Sequence, residues 1–431
     1  MKLQAPSPKI AQYILAATTF LAASSGLAQT YENPANLRAS EFAPASLLKG
    51  ANHQVDDAVT FEGGFPRFTL RSPYGTWQAH GREMLEVRVS ELPAFQQMAT
   101  ISKTDEFGKA AKTALAAPVQ VVGNLIEKPS DTVSSIASGI GLIAGRVGQL
   151  ATAGAERVGD RVSGDLAAQK PILKPATASE GVAEPRTLTG DPLGYNQKRR
   201  EWAQQLKVDT YTNNALLSDK LGDFAAASFA GSFPVNVTLG LVVAPLSYTV
   251  EFNDAGRMEA YQYPVLDVEK RNTARLDKMG IKDLPVRKLL RNKYFTATLQ
   301  TSLALALESL GNVQGRAAVV EFASRAASDV EARYVINSVA LLSKYSKATG
   351  PLSSIQGAEN VLAGMTSDGK LIVPVPMDYV PWIKPVDDFA NRTDLKGTER
   401  WTLVSGKVTP QARQELGKRG WQVSDNYAMA R

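Results

Sequence analysis

The sequence predicts an α+β protein in which helices predominate. Three patterns support this fold class. Polar and apolar residues alternate near the N-terminus as in β-strands, apolar residues recur at helical spacing through the middle of the chain, and the C-terminal region combines short strands with a helix. We therefore expect an N-terminal β-hairpin unit with a Gly-rich helical hairpin, then a helical bundle or short helix stack, closed by a small C-terminal α/β unit.

Residues 1–28 have the features of a secretory signal peptide. Lys2 and Lys9 precede an uncharged run over residues 10–27, and Ala28 ends a site of small residues. The chain contains no cysteine, so it can carry neither a lipid-bearing cysteine nor a disulfide. We expect cleavage after Ala28 and a periplasmic or secreted protein.

The composition limits the classes of function. The 431 residues include 48 lysines and arginines against 42 aspartates and glutamates, and this mild basic excess does not favour nucleic-acid binding. His53 and His80 are the only histidines, so a catalytic triad or a multi-histidine zinc site is not expected. We predict that the protein uses no metal and no cofactor.

Residues 29–95 are predicted to form the β-rich unit. Its clearest element is a hairpin, in which FPRFTLRS and TWQAHG lie on either side of a turn at 73–75. His80 ends the second strand close to Trp77 and Glu83. His80 and Glu83 are therefore the candidate polar site of this unit, although such a pair is more often structural.

Residues 96–166 are rich in glycine and alanine and are predicted to form amphipathic helices. In SSIASGIGLIAGRVGQL, at 134–150, apolar residues recur at spacings of three and four. Only fourteen uncharged residues separate Asp131 from Arg146, whereas a membrane span needs about 20. No strand pattern precedes the glycines, so a dinucleotide-binding loop is not expected. We predict a packed helix, with a helix lying on a membrane surface as the alternative.

Residues 167–190 are predicted to be a proline-rich linker, and residues 191–350 a mainly helical domain. Within that domain NQKRREWAQQL predicts a helix. The uncharged run 224–250 predicts a buried helix ending near Gly231 and then a core strand at 237–244. Insertion of this run into a membrane is the alternative.

Five more helices are predicted from the apolar spacing and the glycines between them, at 268–279, 284–293, 296–310, 316–326 and 329–347. Six cations recur at helical spacing along the first two of these helices. We call them the basic face: Arg271, Arg275, Lys278, Lys282, Arg287 and Arg291. The basic face is either the solvated back of a helix pair or a docking surface for an acidic partner, such as anionic lipid, envelope polysaccharide or an envelope protein.

Residues 351–431 are predicted to form the C-terminal α/β unit. GMTSDGK at 364–370 has the spacing of a phosphate loop, but we predict a turn between a helix in ENVLA and a strand in LIVPVP. RWTLVSG predicts a strand. Thr409 then caps a helix that has Pro410 in its first turn and ends before WQV.

Three strings, GREMLEVRVSEL, GYNQKRREWAQQLKVDTYTNN and VTPQARQELGKRGWQV, together resemble a family of exported bacterial proteins with no assigned function. The resemblance covers most of the mature chain. It implies export and carries over no catalytic residues.

Catalytic residues cannot be assigned from the sequence. Ser46 and Lys49 have the spacing of penicillin-binding enzymes, but no Lys-Thr-Gly motif accompanies them. Two adjacent carboxylate pairs, Asp56/Asp57 and Asp387/Asp388, have the chemistry of a general acid and base. The sequence favours a non-enzymatic binding or structural component of the envelope, with peripheral membrane contact as one mode of docking. The alternative is an envelope hydrolase that uses a carboxylate pair.

Overall fold

The computed structural model describes residues 31–116, 194–235 and 250–427. About 51% of this part of the chain is helical and 19% is strand, which confirms an α+β fold in which helices predominate. Four predicted features lie outside the described residues: the signal peptide 1–28, the part of the Gly-rich helical segment after residue 116 with its stretch 134–150, the linker 167–190 and the strand at 237–244.

The N-terminal unit is an antiparallel sheet. Its strands are β1 (Leu37–Arg38), β2 (Lys49–Gly50), β3 (His53–Val55), β4 (Ala58–Glu62), β5 (Phe65–Ser72) and β6 (Gly75–His80). The order is β1-β4-β5-β3-β2, with β6 paired to β5. A 3₁₀ turn (Ala39–Glu41) and the short helix α1 (Ala45–Leu48) connect the first two strands. The β5–β6 pairing confirms the predicted hairpin, with Ser72 opposite Gly75 at the turn.

Four helices pack with this sheet around one hydrophobic core: α2 (Gly81–Ile101), α3 (Asp105–Ala116), α4 (Tyr195–Gln205) and α5 (Ala215–Ala230). Helix α2 begins directly after β6, so the strands of the β-rich unit end at His80, and the predicted boundary at residue 95 falls inside a helix. Trp202 and Phe224 are fully buried in this core, edge to face with ring centroids 4.9 Å apart. Gly231 ends α5, as predicted.

The next six helices are α6 (Val250–Gln262), α7 (Val265–Lys278), α8 (Leu284–Arg291), α9 (Ala297–Ser309), α10 (Arg316–Ala323) and α11 (Asp329–Ala348). The last five share a second hydrophobic core. The last five confirm the predicted helices to within a few residues at each end. Helix α9 is the centre of the group and packs against α6, α7 and α11. A Cβ at Gly256 of α6 would lie 2.6 Å from the Thr298 carbonyl oxygen of α9, so only glycine permits this close approach.

The C-terminal unit contains strands β7 (Leu352–Ala358), β8 (Val361–Thr366), β9 (Leu371–Val375), β10 (Tyr379–Val380), β11 (Arg400–Val404), β12 (Lys407–Val408) and β13 (Trp421–Ser424), with helices α12 (Lys384–Ala390) and α13 (Pro410–Lys418). Five strands form a mixed sheet in the order β13-β11-β9-β8-β7, in which β9, β11 and β13 are parallel. The hydroxyl of Thr409 accepts a hydrogen bond from the Ala412 amide, which confirms the predicted helix cap.

One prediction in this unit is wrong. The sequence predicts a helix in ENVLA, but strand β8 begins at Val361. Residues 361–364 are buried without alternation, because β8 lies between β7 and β9 and packs against α11. A strand that is buried on both faces lacks the period-two pattern that distinguishes it from a helix.

Within the ranges that the structure covers, no helix is both long enough and apolar enough to cross a membrane.

Candidate functional site

A cleft opens where the N-terminal helix α2 meets helices α6, α9 and α11 and the loop between α4 and α5. Thirteen of its sixteen lining residues are polar or charged. Its charged lining residues are Glu83, Glu86, Glu91, Lys207, Asp209, Asp254, Arg257 and Arg333. A smaller cavity shares Glu83 and Arg333 with the cleft. Ligand sites in proteins often occur at such junctions between packed units.

Glu83 and Arg333 form the wall between the two cavities. Arg333 Nη1 donates to Glu83 Oε1 at 2.8 Å, and each side chain is less than 15% exposed. Asn253 Nδ2 donates to the same oxygen at 3.3 Å, and Asn337 Nδ2 donates to Glu83 Oε2 at 2.6 Å. The carboxylate of Glu83 thus joins α2 to α6 and α11.

The two asparagine amides that bind Glu83 have a defined orientation. A carboxylate paired with arginine can only accept hydrogen bonds, so each amide nitrogen faces Glu83 and each amide oxygen faces away from it. Asn253 lines the cleft and Asn337 lines the smaller cavity. Among the described residues, no group donates to either Oδ1 atom. Asn253 and Asn337 therefore each have a buried acceptor without a donor among the described residues.

Glu91, two helical turns further along α2, has a different environment. Thr212 Oγ1 donates to its Oε1 at 2.8 Å, and Asn214 Nδ2 donates to its Oε2 at 2.7 Å. Arg88 forms an ion pair with it at 3.2 Å, and both side chains are about 95% buried. Asn214 also caps α5 and accepts from the indole of Trp77 through its own oxygen. This network holds the loop before α5 against α2.

The remaining charges of the cleft differ in their partners. Glu86 pairs with Arg82 at 3.0 Å, and Asp254 pairs with Arg257. Asp209 accepts from the Thr298 hydroxyl at 2.6 Å and forms no ion pair with any described residue. Lys207 is exposed beside it.

The smaller cavity combines polar groups with apolar walls. Phe65, Met84, Val330, Tyr334 and Pro376 supply the apolar surface. Its polar lining is completed by His80 and by Asp378, which follows β9 in the C-terminal unit. Asp378 Oδ2 accepts from the Arg82 backbone N–H at 2.7 Å, so it caps the first turn of α2 from 296 residues away in the chain.

Burial raises the pKa of Asp378 to about 6. The neighbouring carboxylates Glu83 and Glu86 add to the rise, whereas the backbone N–H and the charge of Arg82 oppose it. Gly81, which precedes Arg82, has φ +82°, and a Cβ there would lie 3.0 Å from Asp378 Oδ2. Glycine at this position therefore permits both the turn into α2 and the approach of the carboxylate.

The two residues of the predicted polar site both line the smaller cavity. His80 is 3.8 Å from Glu62 through Nε2 and Oε2, and Glu83 contacts Arg333 as described above. Sequence reasoning missed Asp378, Arg333 and Asn337. Each of them is more than 240 residues from Glu83 in the chain, so no local spacing relates them.

The structure divides the basic face into two parts. Arg271 and Arg275 of α7 both pair with Glu259 of α6, and the side chains of Arg275 and Glu259 are more than 80% buried. Burial by itself would raise the pKa of Glu259, but the hydrogen bonds from the two arginines lower it overall. These two cations therefore join helices.

The other four members of the basic face are exposed. Lys282 lies 3.0 Å from Asp277. Lys278, Arg287 and Arg291 form no ion pair with residues in the described ranges. They are the part of the face that remains available to a partner.

Neither predicted carboxylate pair lines either cavity. Asp56 pairs with Arg71 at 2.8 Å, and Asp57 lies 4.0 Å from Arg38 on the surface. Asp387 pairs with Arg419 at 3.0 Å, and Asp388 pairs with Lys384. Each acid of these pairs thus has its own cation. Ser46 and Lys49 are both exposed.

Comparison with known proteins finds no matching family, no similar curated protein and no similar solved structure. The resemblance to a family of exported bacterial proteins stays a prediction. In the part of the chain that the structure describes, no group of three or more histidine, aspartate or glutamate side chains is arranged to hold a metal ion.

Proposed function

We propose that this chain is an exported binding protein of the cell envelope that holds a small polar molecule in the cleft between α2, α6, α9 and α11. The observation that carries this proposal is the fixed geometry of the cleft wall. Glu83 is held in place by Arg333, Asn253 and Asn337, which come from two other helices. A site whose polar groups are already ordered loses little entropy when its ligand binds.

Two further features support binding rather than a purely structural role. The wall presents hydroxyl, amide and carboxylate groups, which suit a polar ligand. Asn253 Oδ1 is a buried acceptor without a donor among the described residues, and such groups are uncommon unless a ligand or water satisfies them.

The proposal can be tested by thermal unfolding of the full chain with a panel of sugars, amino acids, amines and peptidoglycan fragments. We expect at least one class to raise Tm, because a ligand at 100 times its Kd stabilises the folded state by about 2.7 kcal/mol. Ser90→Trp fills the cleft from α2 and should abolish the shift. Thr273→Trp is the matched control. Thr273 is exposed on α7, and its hydroxyl, like that of Ser90, donates to a nearby carbonyl oxygen of its own helix.

Two outcomes would contradict the proposal. One is that no class of compound raises Tm. The other is that a compound raises Tm equally in the parent and in Ser90→Trp, which would place its binding site elsewhere.

One observation favours a second candidate function, a hydrolase that uses two carboxylates. Asp378 and Glu83 line the same smaller cavity, and a carboxylic acid with a pKa near 6 beside a second carboxylate has the chemistry of general acid catalysis. Mass spectrometry of each compound that binds, after incubation with the protein, separates the two candidates. Cleavage that is lost in Asp378→Asn would support the hydrolase, and an unchanged ligand would support binding alone.

A further inference from the structure

We infer that the ligand of the cleft is a small zwitterion of the size of glycine, whose carboxylate is bound by Lys207 and whose ammonium group is bound by Asp209. This inference rests on the proposed binding function and names the chemical class of the ligand. Both residues belong to the loop between α4 and α5, and both line the cleft.

The balance of charge in the cleft is the first argument. Eight charged side chains line it. Six of them have an ion-pair partner, namely Glu83, Glu86, Glu91, Asp254, Arg257 and Arg333. Lys207 and Asp209 form no ion pair with any described residue. Because these two have opposite signs, a ligand with a single charge would leave one of them without an opposite charge. A ligand that carries one charge of each sign complements both.

The accessibility of the two side chains is the second argument. Lys207 is exposed, and its ammonium group has no acceptor among the described residues. Asp209 Oδ1 accepts from the Thr298 hydroxyl at 2.6 Å and from the Tyr211 backbone N–H at 2.9 Å. Asp209 Oδ2 has no hydrogen-bond partner in the described part of the chain and is accessible to solvent. A ligand in the cleft can therefore contact an ammonium group and a free carboxylate oxygen.

The backbone between the two side chains is held in place, which is the third argument. Val208 N–H donates to the Ala203 carbonyl of α4 at 3.0 Å, and the Val208 carbonyl accepts from the Tyr261 hydroxyl of α6 at 2.8 Å. Lys207 has φ +56° directly after the end of α4, a position where glycine is the usual residue. A lysine in this less favourable conformation fits a function for its side chain.

The size and polarity of the cleft limit the rest of the ligand. The only apolar residues in its lining are Val87, Val208 and Leu299. The enclosed part of the cleft has room for only a few water-sized groups. A large apolar side chain would find neither space nor apolar surface there. The cleft therefore favours a zwitterion no larger than a small amino acid.

The test is ligand-observed NMR titration of the full chain with three probes: free glycine, propionate and glycinamide. Propionate has a methyl group where glycine has its ammonium group, and glycinamide has an uncharged amide in place of the carboxylate. The three probes therefore have nearly the same size and differ in charge. We expect glycine to bind at least about tenfold more tightly than either of the others, because only glycine forms charge-assisted hydrogen bonds with both residues.

Two substitutions remove the two charges separately. Lys207→Gly removes the ammonium group and places a glycine residue where φ is positive, so the variant should fold. It should bind free glycine about as weakly as the parent binds glycinamide. Asp209→Asn keeps one oxygen to accept from Thr298 and Tyr211 and presents an NH₂ group to the ligand. This variant should bind free glycine about as weakly as the parent binds propionate.

Glu359→Gly is the matched control. Glu359 is exposed, has φ +48° and lines neither cavity. Its replacement also removes a charged side chain at a positive φ, so Tm should respond as in Lys207→Gly, while the affinity for free glycine should equal that of the parent. Three outcomes would overturn the inference: no binding of free glycine, equal binding of the three probes, or a preference for glycine that persists in Lys207→Gly or in Asp209→Asn.

The same measurements distinguish failure of this inference from failure of the proposed function. Binding of a sugar or another uncharged compound that is lost in Ser90→Trp, without binding of free glycine, would keep the cleft as a binding site and overturn the zwitterion. The absence of binding by every compound of the panel and by all three probes would overturn both proposals.

Discussion

Glu83 and Glu91 lie about two turns apart on helix α2, and both carboxylates are held by an arginine and by asparagine amides. They differ in whether the amide oxygens of their asparagine partners accept hydrogen bonds. The oxygen of Asn214, which donates to Glu91, accepts from Trp77 and from the Leu217 amide. Around Glu83 the oxygens of Asn253 and Asn337 accept from no described residue. The amide oxygen beside Glu91 is therefore satisfied, and we call that network closed. The two amide oxygens beside Glu83 have no donor among the described residues, and we call that network open.

The difference separates a structural role from a binding role on a single helix. In the closed network of Glu91 the protein satisfies the carboxylate and amide oxygens, although Arg88 Nε has no partner among the described residues, and these contacts favour one arrangement of the chain. In an open network the protein orders the groups but leaves part of their hydrogen-bonding capacity for another molecule. The predictions below test this contrast, beginning with the largest expected effect.

The first prediction is that Glu91→Gln lowers the free energy of unfolding by about 3–5 kcal/mol, as expected when one partner of a buried ion pair is removed. The change leaves the charge of Arg88 buried. The side-chain NH₂ of the introduced glutamine also faces a group that is itself a donor. Asn214 cannot rotate its amide to accept from this NH₂ without losing its contacts to Trp77 and Leu217. Urea unfolding of the parent and the variant measures the loss.

Glu83→Gln is the matched comparison. Asn253 and Asn337 can each rotate their amide and offer the oxygen to the side-chain nitrogen of the introduced glutamine, since that oxygen has no protein donor to lose. Both variants leave a buried arginine without its carboxylate, so we expect Glu83→Gln to lose about 1–2 kcal/mol less than Glu91→Gln. Equal losses in the two variants would show that the open and closed networks do not differ energetically.

The local elements of the fold could be predicted from the sequence because local patterns determine them. The β5–β6 hairpin follows from alternation around a turn, and the helix after Thr409 follows from its cap and Pro410. His80 and Glu83 could be selected because they are three residues apart. Arg333, Asn337 and Asp378 are brought to them only by tertiary packing, for which one sequence contains no signal.

The basic face is a second case in which a tertiary contact could not be predicted from the sequence. The sequence correctly places Arg271 and Arg275 on one helical face through their spacing. It could not show that Glu259 of α6 packs against both arginines and removes them from the exposed surface.

The second prediction concerns Asp378, whose folded pKa of about 6 exceeds the ordinary value of 3.8. The folded state therefore holds the proton more tightly than the unfolded state. The resulting contribution to stability is present below about pH 4 and is lost as the pH rises through 6. An asparagine side chain in its place stays neutral at every pH. We expect Asp378→Asn to be more stable relative to the parent at pH 7.5 than at pH 4 by about 2–3 kcal/mol.

Other titratable or charged groups face Asp378 from the elements packed around it. They are Arg82, Glu83 and Glu86 on α2, His80 at the end of β6 and Arg333 on α11. These groups are present in both parent and variant, so the difference between the two urea-unfolding curves reports the replacement of Asp378. Asp56→Asn is the control, and its change in relative stability with pH should have the opposite sign, because the hydrogen bonds from Arg71 lower the pKa of Asp56. A difference for Asp378→Asn that does not change with pH would contradict the prediction. A carboxylate that reduces stability at neutral pH fits a binding role, since function often costs stability.

The last and smallest effect on stability is expected at the basic face, where the contrast between closed and available groups recurs. Lys278, Arg287 and Arg291 are exposed and form no ion pair with described residues, so their combined replacement by alanine should change the free energy of unfolding by only about 0.5 kcal/mol. Arg275→Ala is the comparison and should cost more, because it leaves Glu259 without its shortest ion pair.

Binding to anionic membranes should show the reverse order, with a larger effect in the triple variant than in Arg275→Ala. Leu284, Arg287 and Arg291 follow one another at spacings of three and four on one side of α8, and Leu284 is 41% exposed. This stripe offers both charge and apolar area to a membrane surface, where each cation contributes about 1 kcal/mol. Co-sedimentation with phosphatidylglycerol vesicles at low and high salt should therefore fall strongly in the triple variant and change little in Arg275→Ala. If the triple variant sediments with the vesicles as the parent does, the exposed cations are solvated groups and the docking role is wrong.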